Sequence, residues 1–429
     1  MTASPMTLAE KLCARAAGQD AVQAGEIVTA NVDLAMIHDS GGPRRVAPML
    51  ADLGVGVWDP SKIVLVSDHY VPAVDAESAR ILELTRRWAA DNGVDAFHDM
   101  QGICHVVLPE RGHLTPGQFI VGGDSHSTTG GAFGAFMIGI GATEMAGVLA
   151  TGEIWVRVPS TIQLEWQGMM GPGVVAKDMM LAMCAALGMD VGNYKAIEYC
   201  GAAVTALDME ARMTLANMAA ELGGKVGLIA PDDVTADWLE AHDAVLPDDW
   251  RRWQSDGDAA VEAHHVFTAD DLAPQVAAPH SPANADAATA FSGTAFHQAY
   301  IGACTGAKLT DLQHAAEVLR GRTVARGVRL LIAPASTRTT AAAAADGTLA
   351  TLTEAGAILM PSGCGACAGY GAGVLTEGEV CLSSTARNFK GRMGHPTSQV
   401  YLASPYTVAA SAVAGTITDP REFLLEMAA

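Results

Sequence analysis

Ile63-Val-Leu-Val66-Ser67-Asp68-His69 is the stretch of sequence from which the fold can be predicted. An apolar run of mostly β-branched residues is typical of a short buried strand, and polar residues follow this run at once. Residues 76–92 then place apolar side chains at helical spacing. A buried strand followed by a polar turn and a helix is the repeating unit of α/β folds with a mainly parallel sheet.

The same alternation continues along the chain. We predict strands at residues 104–108 and 119–121 and a helix over about residues 133–152. Further strands are predicted at residues 162–166, 227–230, 299–301, 328–333, 358–360 and 380–382, and further helices at residues 176–187, 209–222 and 310–320. Several of these strands end in polar residues or thiols, and parallel sheets place their functional sites at those ends.

Length and charge limit the possible functions. The chain has 429 residues, of which 50% are hydrophobic, and this is enough apolar sequence for two or three domains. We predict α/β domains at residues 1–159, 160–283 and 284–429. The net charge of −21, with no basic patch, argues against a nucleic-acid-binding protein, because phosphate contacts need clustered Lys and Arg.

The cysteines and the N-terminus bear on localisation. Residues 1–20 carry charges and lack the apolar core of a signal peptide, and no run is long and apolar enough to span a bilayer. The eight cysteines need no disulfides in a chain of this size. We therefore expect a cytoplasmic protein with no membrane partner.

Residues 243–291 are rich in Ala, Pro and Asp, and we interpret them as a connector between domains rather than a domain. His264 and His265 lie within this segment. Two adjacent histidines without a third ligand are more often a solvated surface pair than a metal site.

Three cysteines in glycine-rich surroundings form the most informative pattern. Cys304 lies in Ile301-Gly-Ala-Cys304-Thr-Gly, and Cys364 and Cys367 lie in Gly363-Cys364-Gly-Ala-Cys367. Three thiolates can hold a [4Fe–4S] cluster and leave its fourth iron open for a ligand. From spacing alone, a zinc site and plain structural cysteines remain alternatives.

Acid, base and anion-binding residues accompany the thiols. Asp68-His69 and Asp124-Ser-His126 each follow an apolar strand, and a carboxylate can fix the tautomer of an adjacent imidazole for acid–base catalysis. Taken alone, either pair could equally be a hydrogen-bonded loop histidine. Arg387 and Arg392 lie in a glycine-containing loop and suggest an anionic substrate, because guanidinium groups pair with carboxylates.

Several motifs in one order resemble the aconitase superfamily. They are Gly123-Asp124-Ser125-His126, Asn217-Met-Ala-Ala-Glu221, Ile301-Gly-Ala-Cys304-Thr, Gly363-Cys364-Gly-Ala-Cys367 and Arg387-Asn388-Phe389-Lys-Gly391-Arg392. The resemblance runs almost end to end, and the layout is most similar to the large subunits of 3-isopropylmalate dehydratase and homoaconitase.

The resemblance implies a fold and a partner. It implies three doubly wound α/β/α domains around a central cleft, without the swivelling fourth domain of the superfamily. The chain ends at Ala429, directly after the region that resembles the third domain. A separate small subunit that carries the swivelling domain, in a heterodimer or heterotetramer, is therefore implied, and the chain alone is expected to be inactive or nearly so.

The resemblance also implies a reaction, the dehydration and rehydration of a 2-hydroxy di- or tricarboxylic acid by a hydro-lyase with one [4Fe–4S] cluster per chain. Asp68-His69 would protonate the departing hydroxyl, Glu221 would contact the iron-bound water, and the arginines would hold substrate carboxylates. The site residues implied are Asp68, His69, His105, Asp124, Ser125, His126 and Glu221 for catalysis, Asn217, Arg387 and Arg392 for substrate binding, and Cys304, Cys364 and Cys367 for the cluster.

Gly306-Ala307-Lys308 and Ala386 replace residues that are usual in the family, and we hypothesise a divergent member that acts on a 2-hydroxy diacid other than 3-isopropylmalate. The alternatives are a homoaconitase or a hydratase of 2-methylmalate or dimethylmalate type. Two alternative hypotheses concern other kinds of protein. One is an RNA-binding protein, since some aconitase relatives bind RNA when the cluster is lost, and the other is a zinc-dependent hydrolase.

Overall fold

The computed structural model of the protein describes residues 4–428. The strands are β1 (Ile27–Asn31), β2 (Leu34–His38), β3 (Ile63–Ser67), β4 (Phe97–Asp99), β5 (Phe119–Gly122), β6 (Phe136–Gly139), β7 (Glu153–Arg157), β8 (Thr161–Gln167), β9 (Ala196–Cys200), β10 (Val226–Leu228), β11 (Ala263–Thr268), β12 (Gln275–Ala277), β13 (Ala285–Ala287), β14 (Gln298–Ile301), β15 (Arg329–Ile332), β16 (Ile358–Leu359), β17 (Val380–Ser383) and β18 (Gln399–Ala403).

The α-helices lie between these strands. They are α1 (Leu8–Ala17), α2 (Pro43–Leu53), α3 (Ala76–Asp91), α4 (Cys104–Glu110), α5 (Ala142–Thr151), α6 (Ala176–Leu187), α7 (Ala202–Thr205), α8 (Met209–Met218), α9 (Asp233–Ala241), α10 (Leu309–Leu319), α11 (Thr337–Ala345), α12 (Thr348–Glu354), α13 (Pro405–Ala414) and α14 (Arg421–Ala428). None of the helices within residues 4–428 combines the length and the hydropathy needed to cross a membrane.

Three larger sheets contain the parallel strands. The first has the order β4-β3-β2-β5-β6 and the second the order β10-β9-β8-β11, and both are parallel throughout. The third has the order β13-β12-β18-β17-β14-β15-β16 and is parallel except where β12 joins its neighbours. These sheets confirm the predicted α/β class with mainly parallel strands.

Because the central strands are completely buried, their sequences are apolar throughout, and this is why they could be predicted from the sequence. All five residues of β3 are buried, because helices cover both faces of a parallel sheet. The following helix, α3, begins where Asp75 accepts a hydrogen bond from the Ser78 backbone N–H, and it turns Ile81, Leu82 and Trp88 towards the core. The prediction of this strand and helix is confirmed.

The prediction of a strand at residues 104–108 is wrong, because these residues begin helix α4. The buried, partly β-branched run Cys104-His-Val-Val-Leu108 fits either structure. A distant side chain stabilises the helix here: the Asp68 carboxylate accepts a 2.8 Å hydrogen bond from the Cys104 N–H, one of the donors that a helix N-terminus leaves unpaired.

The prediction of one helix over residues 133–152 is also wrong in its extent. A 3₁₀ helix covers Ser125–Phe133, β6 follows, and helix α5 occupies only the last part of the segment. Gly134 adopts φ +69°, a left-handed conformation that ends the 3₁₀ helix and lets the chain turn into a strand beside β5.

The segment at residues 243–291 is more than a connector, since it supplies strands to two sheets. β11 pairs in parallel with β8, while β12 pairs with β13 and β18. His264 lies in β11 and contacts Glu165 on the surface, with Nε2 2.8 Å from a carboxylate oxygen. β12 precedes residue 284 and yet joins the third sheet, and the boundaries at residues 159 and 283 stay predictions.

Candidate active site

The three thiols lie in two loops at the carboxyl end of the third sheet. Cys304 follows β14, and Cys364 and Cys367 follow β16 around a short 3₁₀ helix, Gly365–Ala368. The Cys364 N–H donates to the backbone oxygen of Asp68 over 2.8 Å. This bond joins the thiol loop to the end of β3 and therefore connects the third sheet to the first.

The spacing of the thiols bears on what they can bind. Among residues 4–428, the groups of three or more His, Cys, Asp or Glu whose ligand atoms all lie within 4.8 Å of one another contain no cysteine. Thiolates on a single tetrahedral zinc ion would lie about 3.8 Å apart, given Zn–S bonds of about 2.3 Å. The wider spacing fits a multi-iron cluster better than one zinc ion.

Burial favours the protonated form of Cys304 and Cys364. It raises the pKa of Cys304 to about 12, and the neighbouring Cys367 and Asp124 reinforce this shift. Burial also raises the pKa of Cys364, with Asp68 and Cys367 adding to the effect. Thiols in this condition become thiolates only when a cation replaces their protons, as happens when a metal binds.

The end of β3 carries an ionised pair at the cleft. Asp68 Oδ1 lies 2.6 Å from His69 Nδ1, and its other oxygen accepts from the Cys104 N–H. Burial acts against the charge of Asp68, but the charge and hydrogen bond of His69 prevail and lower the pKa of that carboxyl. The Nδ1 atom is thus committed to Asp68, and Nε2 is directed towards Asp124 Oδ2, 3.9 Å away.

His69 carries the proton at neutral pH. Burial alone would lower the pKa of this imidazole, but the nearby carboxylates of Asp68, Asp124 and Asp39 outweigh burial and raise the pKa to about 9. A buried imidazolium with one N–H directed towards the cleft can act as a general acid.

Asp124 joins two imidazoles at the end of β5. Its Oδ1 lies 2.8 Å from His105 Nε2 and accepts a hydrogen bond of the same length from the His126 N–H. Burial opposes the charge of Asp124, but these hydrogen bonds and the two histidines lower its pKa well below the usual value. The carboxylate therefore stays ionised and draws His69, His105 and His126 together.

Glu221 links the second sheet to the third. Its Oε1 lies 2.9 Å from His126 Nε2 and accepts a 2.8 Å bond from Arg387 Nε. Arg387 also donates to Ser125 Oγ over 2.8 Å. Burial works against the ionised form of Glu221, yet His126 and Arg387 lower its pKa, so that a carboxylate and a guanidinium face each other across the cleft.

Asn217 and Arg392 complete the contacts to the thiols. Asn217 Nδ2 donates to Cys304 Sγ over 3.2 Å, and Arg392 lies beside Cys367, whose charge helps to raise the pKa of the guanidinium against the effect of burial. Asn217 also donates to the Thr129 hydroxyl, which donates to the His126 backbone oxygen, and the Cys367 N–H donates to the Cys364 backbone oxygen. With these bonds the contacts connect all of the predicted site residues in one series, although they do not by themselves assign a role to any of them.

Several buried polar atoms of this series have no hydrogen-bond partner among the described residues. They are His105 Nδ1, Asn217 Oδ1, Glu221 Oε2 and Arg392 Nε. Buried polar atoms are nearly always paired, and unpaired ones gathered in one cleft are characteristic of a polar binding site.

Sequence reasoning missed three residues that lie at the site. His38 stacks on His69, and Asp39 accepts hydrogen bonds from the backbone N–H groups of His69 and Tyr70. His38 is the last residue of the apolar strand β2 and Asp39 follows it, so the rule that selected Asp68-His69 would also have selected them. Lys177, which is buried behind the Cys304 loop, gave no comparable signal.

The residues that replace usual family residues are buried in two loops, since residues 306–308 follow Cys304 and Ala386 follows β17. A Cβ atom on Gly306 would lie 2.5 Å from the Ser384 backbone oxygen, so only glycine fits there. Ala307 and Ala386 are core residues, and Lys308 Nζ pairs with Asp311 Oδ2 at 2.6 Å. These positions therefore shape the two loops and place no side chain among the cleft contacts described above.

Comparisons with known proteins agree over most of the chain. A model of the "Aconitase family (aconitate hydratase)" matches residues 10–292 and 283–415. The chain is 47% identical to "3-isopropylmalate dehydratase large subunit 1" of Methanopyrus kandleri, over 97% of this chain and 99% of that protein. It is 43% identical to a "Probable methanogen homoaconitase large subunit" of Methanothermobacter thermautotrophicus, over 97% and 98% of the two chains.

A solved structure with a similar fold is the holo-form of Thermococcus kodakaraensis aconitase X. The TM-score is 0.50 at 13% identity, and the alignment covers 84% of each chain. At this level of identity the likeness supports the fold alone.

Proposed function

The chain belongs to the aconitase family, and we propose from that premise that it is the cluster-bearing large subunit of a hydro-lyase of the 3-isopropylmalate dehydratase kind. The reaction is the dehydration and rehydration of a 2-hydroxy di- or tricarboxylic acid. The unbroken series of contacts from the three thiols to the Asp68–His69 pair and on to Arg387 is the observation that carries this proposal.

Cys304, Cys364 and Cys367 would hold one [4Fe–4S] cluster per chain. Cys304 is buried, and Cys364 and Cys367 are partly buried. The three thiols do not all lie within 4.8 Å of one another, and Arg392 lies beside Cys367, which fits a group of that size and negative charge. When bound, a cluster with an open iron supplies a Lewis acid for the substrate hydroxyl. The remaining chemistry belongs to the side chains of the protein.

His69 would deliver the proton that the departing hydroxyl needs. Asp68 fixes its Nδ1 and holds its charge, and Asp124 lies near Nε2, at the point from which the proton would be transferred. His105 and His126 would support this arrangement through Asp124, because both donate to that carboxylate.

Arg387 and Arg392 would bind the substrate carboxylates. Arg387 is held by Glu221 and Ser125, which fixes its guanidinium group before substrate arrives, while Arg392 Nε is buried and unpaired among the described residues. Asn217 would orient the substrate near Cys304, and Glu221 would contact the water that leaves. Positive charge at these positions stabilises the charge that develops on a carboxylate as a proton is lost beside it.

A small subunit is the proposed partner. The similar proteins from Methanopyrus kandleri and Methanothermobacter thermautotrophicus are both named as large subunits. We infer that a second chain, a small subunit that carries the swivelling domain, completes the site in a heterodimer or heterotetramer.

The substrate is tested with the reconstituted enzyme. The chain would be loaded with iron and sulfide without oxygen and mixed with a candidate small subunit, and the unsaturated product would be followed by ultraviolet absorbance. We expect 3-isopropylmalate to show the highest kcat/KM in a panel that includes homocitrate and 2-methylmalate. A preference for homocitrate would favour the homoaconitase alternative, to which the relative at 43% identity gives support.

Two controls make the result interpretable. Cys364→Ser should lose both the visible cluster absorbance and the activity, whereas Cys381→Ser, at a buried core cysteine of β17, should keep both. Absence of dehydration for every acid in the panel, with the cluster intact and the small subunit bound, would contradict the proposed function.

A further inference from the structure

Lys177 is a buried cation directly behind the Cys304 loop. Its side chain is 1% exposed, and Nζ donates to Thr305 Oγ1 at 3.1 Å and to the backbone oxygens of Ser384 at 3.0 Å and Thr385 at 2.6 Å. These three acceptors use the three N–H donors of the ammonium group. Water therefore contributes little to stabilising this charge.

The position is unfavourable for a positive charge. Lys177 is the second residue of α6, where the unpaired N–H groups of the helix give a partial positive charge. Burial of an ammonium group without a counter-charge is also costly. A charge kept in such a place needs a negative group to stabilise it.

The neighbouring carboxylates do not contact this ammonium. Asp178 accepts hydrogen bonds from the backbone N–H groups of Val175 and Gln275, and burial raises its pKa to about 7. A cavity of about 220 Å³ beside Lys177 is lined by Asp208 and Asp311. However, Asp208 caps helix α8, and Asp311 is already paired with a lysine of its own loop.

The bond from Lys177 Nζ to Thr305 Oγ1 places the ammonium next to the residue that follows Cys304 directly in the chain. Burial lowers the pKa of Lys177 to about 8, while the nearby Cys304, Asp311 and Cys367 favour its charge and Lys308 opposes it. Lys308 and Asp311 form a 2.6 Å ion pair, so their opposite charges largely cancel in their effect on Lys177. The two cysteines are left as the source of negative charge, and both belong to the set assigned above to the cluster.

We propose that Lys177 is the counter-ion of the thiolate-bound cluster and that its charge strengthens cluster retention and raises the reduction potential of the cluster. This inference rests on the proposed function. A [4Fe–4S]²⁺ core with three thiolates carries a net negative charge, and the potential of a cluster follows the net charge and hydrogen bonding around it. Lys177 acts as a positioning and charge-balancing residue and touches neither substrate nor the thiols in the described contacts.

The test compares variants that separate charge from bonding. Lys177→Met removes the charge and the hydrogen bonds, Lys177→Gln removes the charge but keeps an N–H donor, and Lys177→Arg keeps the charge. The matched control is Arg212→Met combined with Asp232→Asn, which removes a buried cation of α8 together with its own carboxylate.

Two quantities are measured without oxygen on cluster-loaded chains. One is the midpoint potential of the one-electron reduction of the cluster, and the other is the rate of iron loss to a chelator. For the Met and Gln variants we expect a more negative potential and iron retention weaker by about 10- to 100-fold, the usual effect of removing an outer partner of a metal site. The Arg variant and the Arg212/Asp232 control should keep the wild-type potential.

The outcomes are separable. If Lys177→Gln keeps the wild-type potential and iron retention, Lys177 only ties the loops together and the proposal is overturned. An equal shift in the Arg212/Asp232 control would overturn it as well. If Lys177→Met does not fold, as judged by thermal unfolding of the iron-free chain, the Gln and Arg variants carry the comparison. A wild-type chain that binds no cluster would instead contradict the proposed function.

Discussion

The imidazole of His38 is stacked on that of His69, with ring centroids 4.3 Å apart and ring planes inclined by 16°. His38 Nε2 lies 3.0 Å from the Gly123 backbone oxygen, so this nitrogen carries a proton and donates it. Burial, reinforced by the charge of His69, lowers the pKa of His38 and keeps its ring neutral. A neutral ring therefore fixes the plane of the charged ring that is the proposed general acid.

We expect His38→Leu to lower kcat by about 10- to 100-fold with little change in KM, because His69 loses the surface that orients it. The measurement is steady-state kinetics with the small subunit present. His38→Phe, which keeps a stacked ring, should retain more activity than the leucine variant. Equal activity of both variants would show that stacking has no part in orienting His69.

Replacing Asp68 by Asn should reduce kcat by about 100-fold or more, since the charge that keeps His69 protonated is lost. Asn can still accept from the Cys104 N–H, so the helix start at α4 is retained. The matched control is Asp75→Asn at the N-cap of α3, which should leave kcat unchanged. A comparable loss in both variants would point to damage to the fold instead of the site.

Glu221→Gln should destabilise the iron-free chain by about 2–4 kcal/mol, because it leaves the partly buried Arg387 guanidinium without its carboxylate. Thermal or denaturant unfolding measures this change. Glu77→Gln removes an exposed carboxylate from a pair with Arg80 and should have no measurable effect. If the two substitutions behave alike, the Glu221–Arg387 pair contributes nothing to stability.

Gly306→Ala should destabilise the chain by about 1–3 kcal/mol and lower its iron content after reconstitution, because the new Cβ atom would collide with Ser384. Gly147→Ala is the control: Gly147 lies inside α5 with nothing within 4 Å of a Cβ position, so alanine there should stabilise by about 0.5–1 kcal/mol. Unchanged iron content in Gly306→Ala would mean that the loop can move without consequence.

The His98–His113 contact predicts a pH dependence of stability. Their Nε2 atoms lie 2.7 Å apart, and burial, followed by the charges of His113 and Arg111, lowers the pKa of His98 to about 4. A lowered folded-state pKa contributes stability above the unfolded-state value of about 6.5, and this contribution is lost as the pH falls towards 4.

We therefore expect the iron-free chain to lose about 1–2 kcal/mol from this contact between pH 6.5 and pH 4.5, after allowance for partial solvent screening. Unfolding by urea at several pH values measures the loss. His98→Gln should show a shallower pH dependence over the same range, and an identical slope would contradict the assignment of this loss to His98.

Strand-end residues were the part of the site that could be predicted from the sequence. The runs before Asp68 and Asp124 are apolar and buried, and the carboxyl ends of parallel strands gather their loops at one edge. His38 and Asp39 lie at the end of the apolar strand β2 in the same way, so they could have been predicted as site residues but were not.

Other features depend on contacts that the sequence does not reveal. Cys104 begins a helix because a carboxylate 36 residues away accepts from its N–H, whereas the local pattern fits a strand equally well. Lys177 resembles an exposed residue in the first turn of a helix, and only the packing of the distant Thr305 and Ser384 loops against it makes it buried.

The bond from the Cys364 N–H to the Asp68 backbone oxygen has a consequence for how the protein is made. Cys364 and Asp68 are separated by 296 residues, so the thiol loop can reach the end of β3 only after most of the chain has left the ribosome. The first sheet can form early in synthesis. The loop that holds Cys364 and Cys367 is translated much later and can only then pack against the end of β3. If the proposed cluster were inserted during synthesis, Cys304 would be present before Cys364 and Cys367. We therefore expect the cluster to be inserted only after the third sheet has been translated.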